Sequence, residues 1–246
     1  MKESVSAWYL YHSGFTVRIR NYLLIFDYYS DEPEGAVRSL STGVINPDEI
    51  KDLQVLVFSS HKHPDHFNPV ILDWKQTVPG IRYILSSDIS KRFHEDHIII
   101  KPNQTITTPD DISITTLKST DAGVAFLVEL FGVTIYHAGD LNWWHWEEED
   151  KAWNNNMAAR YKNELEKLKG KTIDIAFLTC DPRQGASAFW GLEYFMEKIG
   201  AKAAFPMHFE EDYSLMATLE KLKNEKSYLS PVRTVSHRGE AFVLTL

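Results

Sequence analysis

The chain has 246 residues, 43% of them hydrophobic, and a formal charge of −8 from 26 basic and 34 acidic side chains. That apolar share can bury a substantial core in one large domain, while the acidic balance disfavours a general binder of nucleic-acid backbones. A single cysteine, Cys180, excludes an intrachain disulfide framework and a thiolate zinc cage, so any metal falls to His, Asp or Glu.

No stretch approaches the roughly 18 to 20 uninterrupted apolar residues of a membrane span. The start, MKESVSAWYLYHSGF, carries no apolar leader core and no small-residue cleavage site, so the expected location is cytoplasmic, with no membrane partner. The first half reads mostly as short strands: 15–19 (FTVRI), 22–26 (YLLIF), 55–59 (VLVFS), 81–85 (IRYIL), 97–100 and 112–116. Pro64 suits the first turn of a helix running to about Trp74, and Ser87 is placed to cap another over roughly 87–94. Were that second segment helical, His94 and His97 would share a charged, solvated face.

A hairpin follows, VAFLVEL and VTIYHAGD joined through Phe131 and Gly132, where glycine accepts positive φ. Three helix–strand alternations come next. Residues 155–169 place Tyr161, Leu165 and Leu168 on one face before the strand IDIAFLT. Residues 187–199 carry Phe189, Leu192, Met196 and Ile199 before AKAAFPM. Ser214 can cap a third helix, ahead of strands near 232–235 and 240–246. With no linker and no alignable repeat, the expectation is one domain over 1–246 in two halves, about 1–117 and 118–246, with stacked sheets covered by helices.

The chemistry concentrates in HKHPDH, residues 61–66. In an extended segment alternate side chains share a side, so His61 and His63 can converge on one ion, and Pro64 favours that extended state before it. Past the change of direction at Pro64, Asp65 and His66 point elsewhere and can hold a second ion, at roughly the 3.5–4 Å separation of two-metal hydrolytic sites. The plain alternative, a polar loop of exposed histidines, fits a lone histidine better than three beside an aspartate.

HKHPDH resembles the HxHxDH signature of the metallo-β-lactamase superfamily. LLIFD, IYHAGD and AAFPMHF, in that order, are similar to its further motifs, ending in Asp27, Asp140 and His208. The resemblance implies an α+β fold, an αββα four-layer sandwich of two stacked mixed β-sheets covered by helices. It also implies that His61 and His63 serve a first metal, that Asp65, His66 and His208 serve a second, and that Asp140 joins both. Asp27 would orient a ligand through hydrogen bonds or, equally, cap a turn. The implied cofactor is zinc, one ion or two, with manganese or iron compatible with the nitrogen and oxygen donors. Catalysis would rest on Asp65 and Asp140, which position an activated water. The start YHSGF is most similar to hydrolases of the ascorbate-6-phosphate lactonase type.

In one place the chain departs from the superfamily pattern. Where most members carry another histidine for the first metal, LKSTDAGVAF offers Ser119, Thr120 and Asp121. Asp121 or His137 could replace it, or the first site could be weak or empty.

Around the motif, His12 and His237 are candidates for substrate contact, with hydrogen-bonded structural histidines as the alternative. Arg183 in CDPRQG could bind an anionic group bidentately or form a surface salt bridge. Trp143, Trp144 and Trp146 could wall a substrate or pack inward from a helix. The expected activity is metal-dependent hydrolysis of a small ester, lactone or phosphoester, with a small molecule as partner and no nucleic acid. A mononuclear iron oxygenase and a non-catalytic ligand-binding protein are the competing readings.

Overall fold

The computed structural model of the chain describes residues 3–93 and 97–246. They form two compact units, one comprising Met1–Ile100 with Ser236–Leu246 and the other Lys101–Val235.

The first unit is a mixed sheet. Strands β1 (Ser4–Tyr11), β2 (Gly14–Ile19) and β3 (Tyr22–Phe26) pair antiparallel in succession. Strands β4 (Gln54–Ser59), β5 (Arg82–Ser86) and β6 (Ile98–Ile100) add in parallel beyond β3. The parallel strands are nearly unbroken apolar runs because both of their faces are covered. One face carries Leu23, Ile25, Val55, Val57, Tyr83 and Leu85, which share a core with Ile71 and Trp74 from the 3-10 segment Pro69–Gln76. A four-residue helix, α1 (Pro47–Ile50), is capped by the Asn46 side chain. The alternation of directions makes β1, β3 and β4 all end at one edge of the sheet.

The second unit holds β7 (Thr105–Thr107), β8 (Ser113–Lys118), β9 (Val124–Leu130), β10 (Val133–His137), β11 (Ile175–Thr179) and β12 (Ala203–Met207), in the spatial order β12-β11-β10-β9-β8-β7. Neighbours from β7 to β10 are antiparallel, whereas β10, β11 and β12 are parallel and also finish at a common edge. Helices α2 (Lys151–Leu165), α3 (Trp190–Lys198) and α4 (Leu215–Glu225) belong to this unit. The last strand, β13 (Ala241–Thr245), returns to the first unit and pairs with β1. That return, together with β7 and β8 joining the second sheet, puts the boundary at residue 100 rather than near 117.

The hairpin turn expected at Phe131-Gly132 is present, with φ of 52° and 80° as a two-residue I′ turn requires. Tyr161 and Leu165 are buried along α2 as their spacing predicts, with Leu168 in the 3-10 turn that follows. The helix starts earlier than expected because Asp150 accepts the Trp153 N–H at 2.7 Å and caps it.

Other expectations fail for local reasons. Pro64 begins no helix: the N–H groups of His66 and Phe67 both bond to the His63 carbonyl in a turn, and Asn68 starts the 3-10 segment by accepting from Val70. The Ser87 N–H bonds to the Ile100 carbonyl, and a 3-10 turn over Lys91–Phe93 stands where the helix was expected. His94 lies outside the described residues, and His97 is half-buried with its ring 4.7 Å from Tyr83. Ser214 is already helical at φ −61° and makes no cap bond. Residues 232–235 contribute one bridge, Val232 to Ala204, and no strand. The tryptophan segment is a loop, not a helix.

Candidate metal centre

In the first unit the candidate residues gather where β1, β3 and β4 end. Asp27 follows β3 in a left-handed conformation, φ 43°, and its N–H bonds to the Phe58 carbonyl at 2.9 Å. Its carboxylate accepts the Ser60 N–H at 2.7 Å, the Ser60 hydroxyl at 2.6 Å and His66 Nδ1–H at 2.7 Å. All three residues are fully buried. Because Ser60 donates its hydroxyl hydrogen to Asp27, its oxygen accepts from His61 Nδ1 at 3.0 Å. One Asp–Ser pair thereby fixes the tautomer of two histidines and turns a lone pair outward on Nε2 of both.

Residues 61–63 are bends and 64–66 a turn, not an extended strand. His61 Nε2 lies 3.0 Å from His63 Nδ1, so the two face a shared point. Asp65 Oδ2 lies 3.7 Å from His66 Nε2 and 3.3 Å from His12 Nε2. Burial works to raise the Asp65 pKa, but the His12 hydrogen bond and the nearby His66 and His12 rings outweigh it and hold the carboxyl below the usual range. With Nδ1–H given to Asp27, a neutral His66 turns the lone pair of Nε2 towards Asp65. Two electron-rich atoms facing each other are stabilised by a cation between them, and the all-nitrogen-and-oxygen donor set suits zinc, manganese or iron.

The second unit repeats the arrangement at the ends of β10, β11 and β12. Asp140 follows β10, Asp181 follows β11, and His208 follows β12 at φ 71°. His208 Nδ1 lies 3.2 Å from Asp181 Oδ2, which directs Nε2 at Asp140 Oδ1, 3.3 Å away. Asp181 is itself held by Arg183, whose backbone N–H and Nε reach Oδ1 at 2.8 and 2.9 Å. Burial opposes ionisation of Asp181, but the bonds from His208 and Arg183 keep its carboxyl below the ordinary range. Trp144 bonds through Nε1 to the Asp140 carbonyl at 3.1 Å, lays its ring against His208 and stacks on Trp146.

Other candidates stand differently. The Arg183 guanidinium is paired with Asp181 while its side chain is 70% exposed. His237 is exposed, with Nδ1 2.8 Å from Ser236 Oγ. His137 is buried in β10 and accepts the Gly139 N–H at 3.2 Å, and Asp121 is exposed. Sequence reasoning passed over Ser60 and Asp181. Ser60 directly precedes the motif, and Asp181 follows a buried strand as Asp140 and His208 do, which was the available signal.

No family model matches the chain, and no curated protein matches it in sequence. Solved structures do match. Igni18, a metallo hydrolase from the hyperthermophilic archaeon Ignicoccus hospitalis, is 17% identical with a TM-score of 0.66, covering 98% of each chain. YhfI from Bacillus subtilis, a metallo-β-lactamase fold protein, is 15% identical with a TM-score of 0.62, covering 98% of this chain and 99% of its own. CmlA from Streptomyces venezuelae, a diiron β-hydroxylase, is 12% identical with a TM-score of 0.63; the match covers all of this chain and 55% of CmlA. These likenesses establish the fold: α+β, two mixed sheets with helices, of the metallo-β-lactamase type. Among the described residues no helix is long and apolar enough to cross a membrane.

Proposed function

We propose that the protein is a metal-dependent hydrolase of a small ester, lactone or phosphoester. Its metal ligands are His61, His63, Asp65 and His66, with Asp140 and His208 assigned to the same centre by motif order. The observation that carries the reading is the Asp27–Ser60 pair, which sets His61 and His66 as neutral ligands with Nε2 lone pairs presented. A bound zinc, manganese or iron ion supplies a Lewis acid that polarises the scissile carbonyl or phosphoryl group and makes water nucleophilic near neutral pH.

The chain's own residues do the remaining work. Asp65 and Asp140 orient the attacking water by accepting its hydrogen, Asp27 and Asp181 hold the histidines in register, and Trp144 walls His208. Arg183 and His237 are the proposed contacts to substrate. The similarity of YHSGF to ascorbate-6-phosphate lactonase-type hydrolases favours a phosphorylated lactone or ester.

A second reading, an iron oxygenase, is favoured by the stretch that lacks the additional histidine. There Thr120 is buried, and its hydroxyl is engaged with the Asp140 and Asn142 carbonyls instead of facing an ion. To test the two, the metal-free protein is reconstituted separately with zinc, manganese and iron(II) and assayed on lactones, carboxylic esters and phosphoesters, with oxygen uptake followed in parallel. Hydrolysis that disappears on chelation and in His63→Ala supports the proposal. Oxygen uptake with iron and no hydrolysis with any metal refutes it in favour of the second reading.

A further inference from the structure

The β1–β2 turn is built around His12 in a way that a simple hairpin does not need. The β1–β2 register slips between Tyr9 and Tyr11, the irregularity by which sheets re-aim a side chain at a functional edge. His12 then sits at φ 55°, a conformation that glycine or asparagine adopts readily and a histidine rarely does. The turn is closed tightly behind it, since a Cβ on Gly14 would stand 2.9 Å from the Tyr11 carbonyl oxygen. The His12 N–H is fixed by the Tyr9 hydroxyl at 2.9 Å. The outcome is an imidazole only 5% exposed, 3.3 Å from Asp65 Oδ2 and with its ring 5.8 Å from that of His66. One ligand atom from each of His12, Asp65 and His66 lies within 4.8 Å of the others.

We propose that His12 is a metal ligand, not a substrate contact. It completes, within the first unit, a set of two imidazoles and one carboxylate for the ion that Asp65 and His66 hold. The inference rests on the metal-dependent reading above and adds an asymmetry to it: the ion on the Asp65 side binds tightly, and the ion on the His61–His63 side binds weakly. The competing explanation is a structural ion pair between His12 and Asp65, which leaves metal binding untouched when the imidazole is removed.

The test uses the full chain and cobalt(II) as the probe, with bound ions counted and the ligand-field spectrum recorded for the parent, His12→Gly and His12→Asn. Both substitutions suit φ 55° and keep the main-chain bond to Tyr9, and circular dichroism with thermal melting verifies folding. The expected result is that both variants lose affinity for the tighter ion by more than the roughly 10–100-fold that outer hydrogen-bond partners carry, with a changed spectrum. Added imidazole restores that spectrum in His12→Gly. If the parent binds cobalt and both variants match it in affinity and spectrum, the His12 assignment is overturned while the hydrolase reading stands. If the parent binds no ion, both fall together.

Discussion

Replacing Asp27 with asparagine isolates what its carboxylate does from what its backbone does. Asparagine is among the residues that best tolerate the left-handed conformation held here at φ 43°, so the turn after β3 survives. The amide oxygen can still accept the Ser60 N–H, and the Ser60 hydroxyl can rotate. The amide nitrogen, however, now faces His66 Nδ1, where the carboxylate accepted a hydrogen bond at 2.7 Å. A donor at that position forces the proton of His66 onto Nε2, the atom that faces Asp65. Loss of such orienting partners typically lowers metal affinity about 10–100-fold, or roughly 1.4–2.8 kcal/mol. Competition between Asp27→Asn and a chromophoric chelator measures this, with a thermal melt to verify folding. An affinity within twofold of the parent, in a folded variant, would show that the Asp27 network does not set the ligand.

Three further predictions concern the second unit. A Cβ on Gly191 would meet Asn142 Oδ1 at 2.0 Å, and Asn142 is buried and bonded to Gln184 at 3.0 Å; Gly191→Ala should therefore cost about 1–3 kcal/mol, read as a lower Tm, and an unchanged melt would mean the contact yields freely. Burial above all, with Asp181 and Glu193 adding to it, pushes the Cys180 thiol well above its ordinary pKa, so a thiol reagent at pH 8 should label it only after unfolding, and rapid labelling of the native protein would contradict that. Asp181 has a folded pKa below its unfolded one, so its contribution to stability is present above about pH 4 and lost as pH falls through the folded value; Asp181→Asn should flatten the acid limb of a stability–pH curve, and an unaltered limb would remove Asp181 from the ion-pair network.

What was legible in the sequence was legible because it was local. The apolar runs of β3 and β4 and the Phe131-Gly132 turn are local signals, and the structure follows them. The strand β1 escaped notice because its half-buried alternation, SVSAWYLY, mixes serine with aromatics and has no turn signal before it. At Pro64 one turn forms, with the Phe67 N–H on the His63 carbonyl, but Asn68 then opens a separate 3-10 segment, and after Ser87 a 3-10 turn over Lys91–Phe93 stands where a helix was expected. The same limit applied to the site. His61, His63, Asp65 and His66 are neighbours in sequence and were read at once, whereas Asp27, Asp140 and His208 came only through resemblance. Ser60 and Asp181 matter through bonds to residues 33 and 27 positions away, and His12 through a bulge and a positive φ. Position along the chain points to these residues, but only the fold shows the bonds through which they act.

The proposed function requires these imidazoles and carboxylates to hold a cation. Equilibrium dialysis of the metal-free chain against zinc, with bound ions counted per chain for the parent and for Asp140→Ala, addresses it directly. The parent should take up one or two ions saturably, and the variant fewer. A parent that takes up no zinc, manganese or iron at micromolar free concentrations would contradict it.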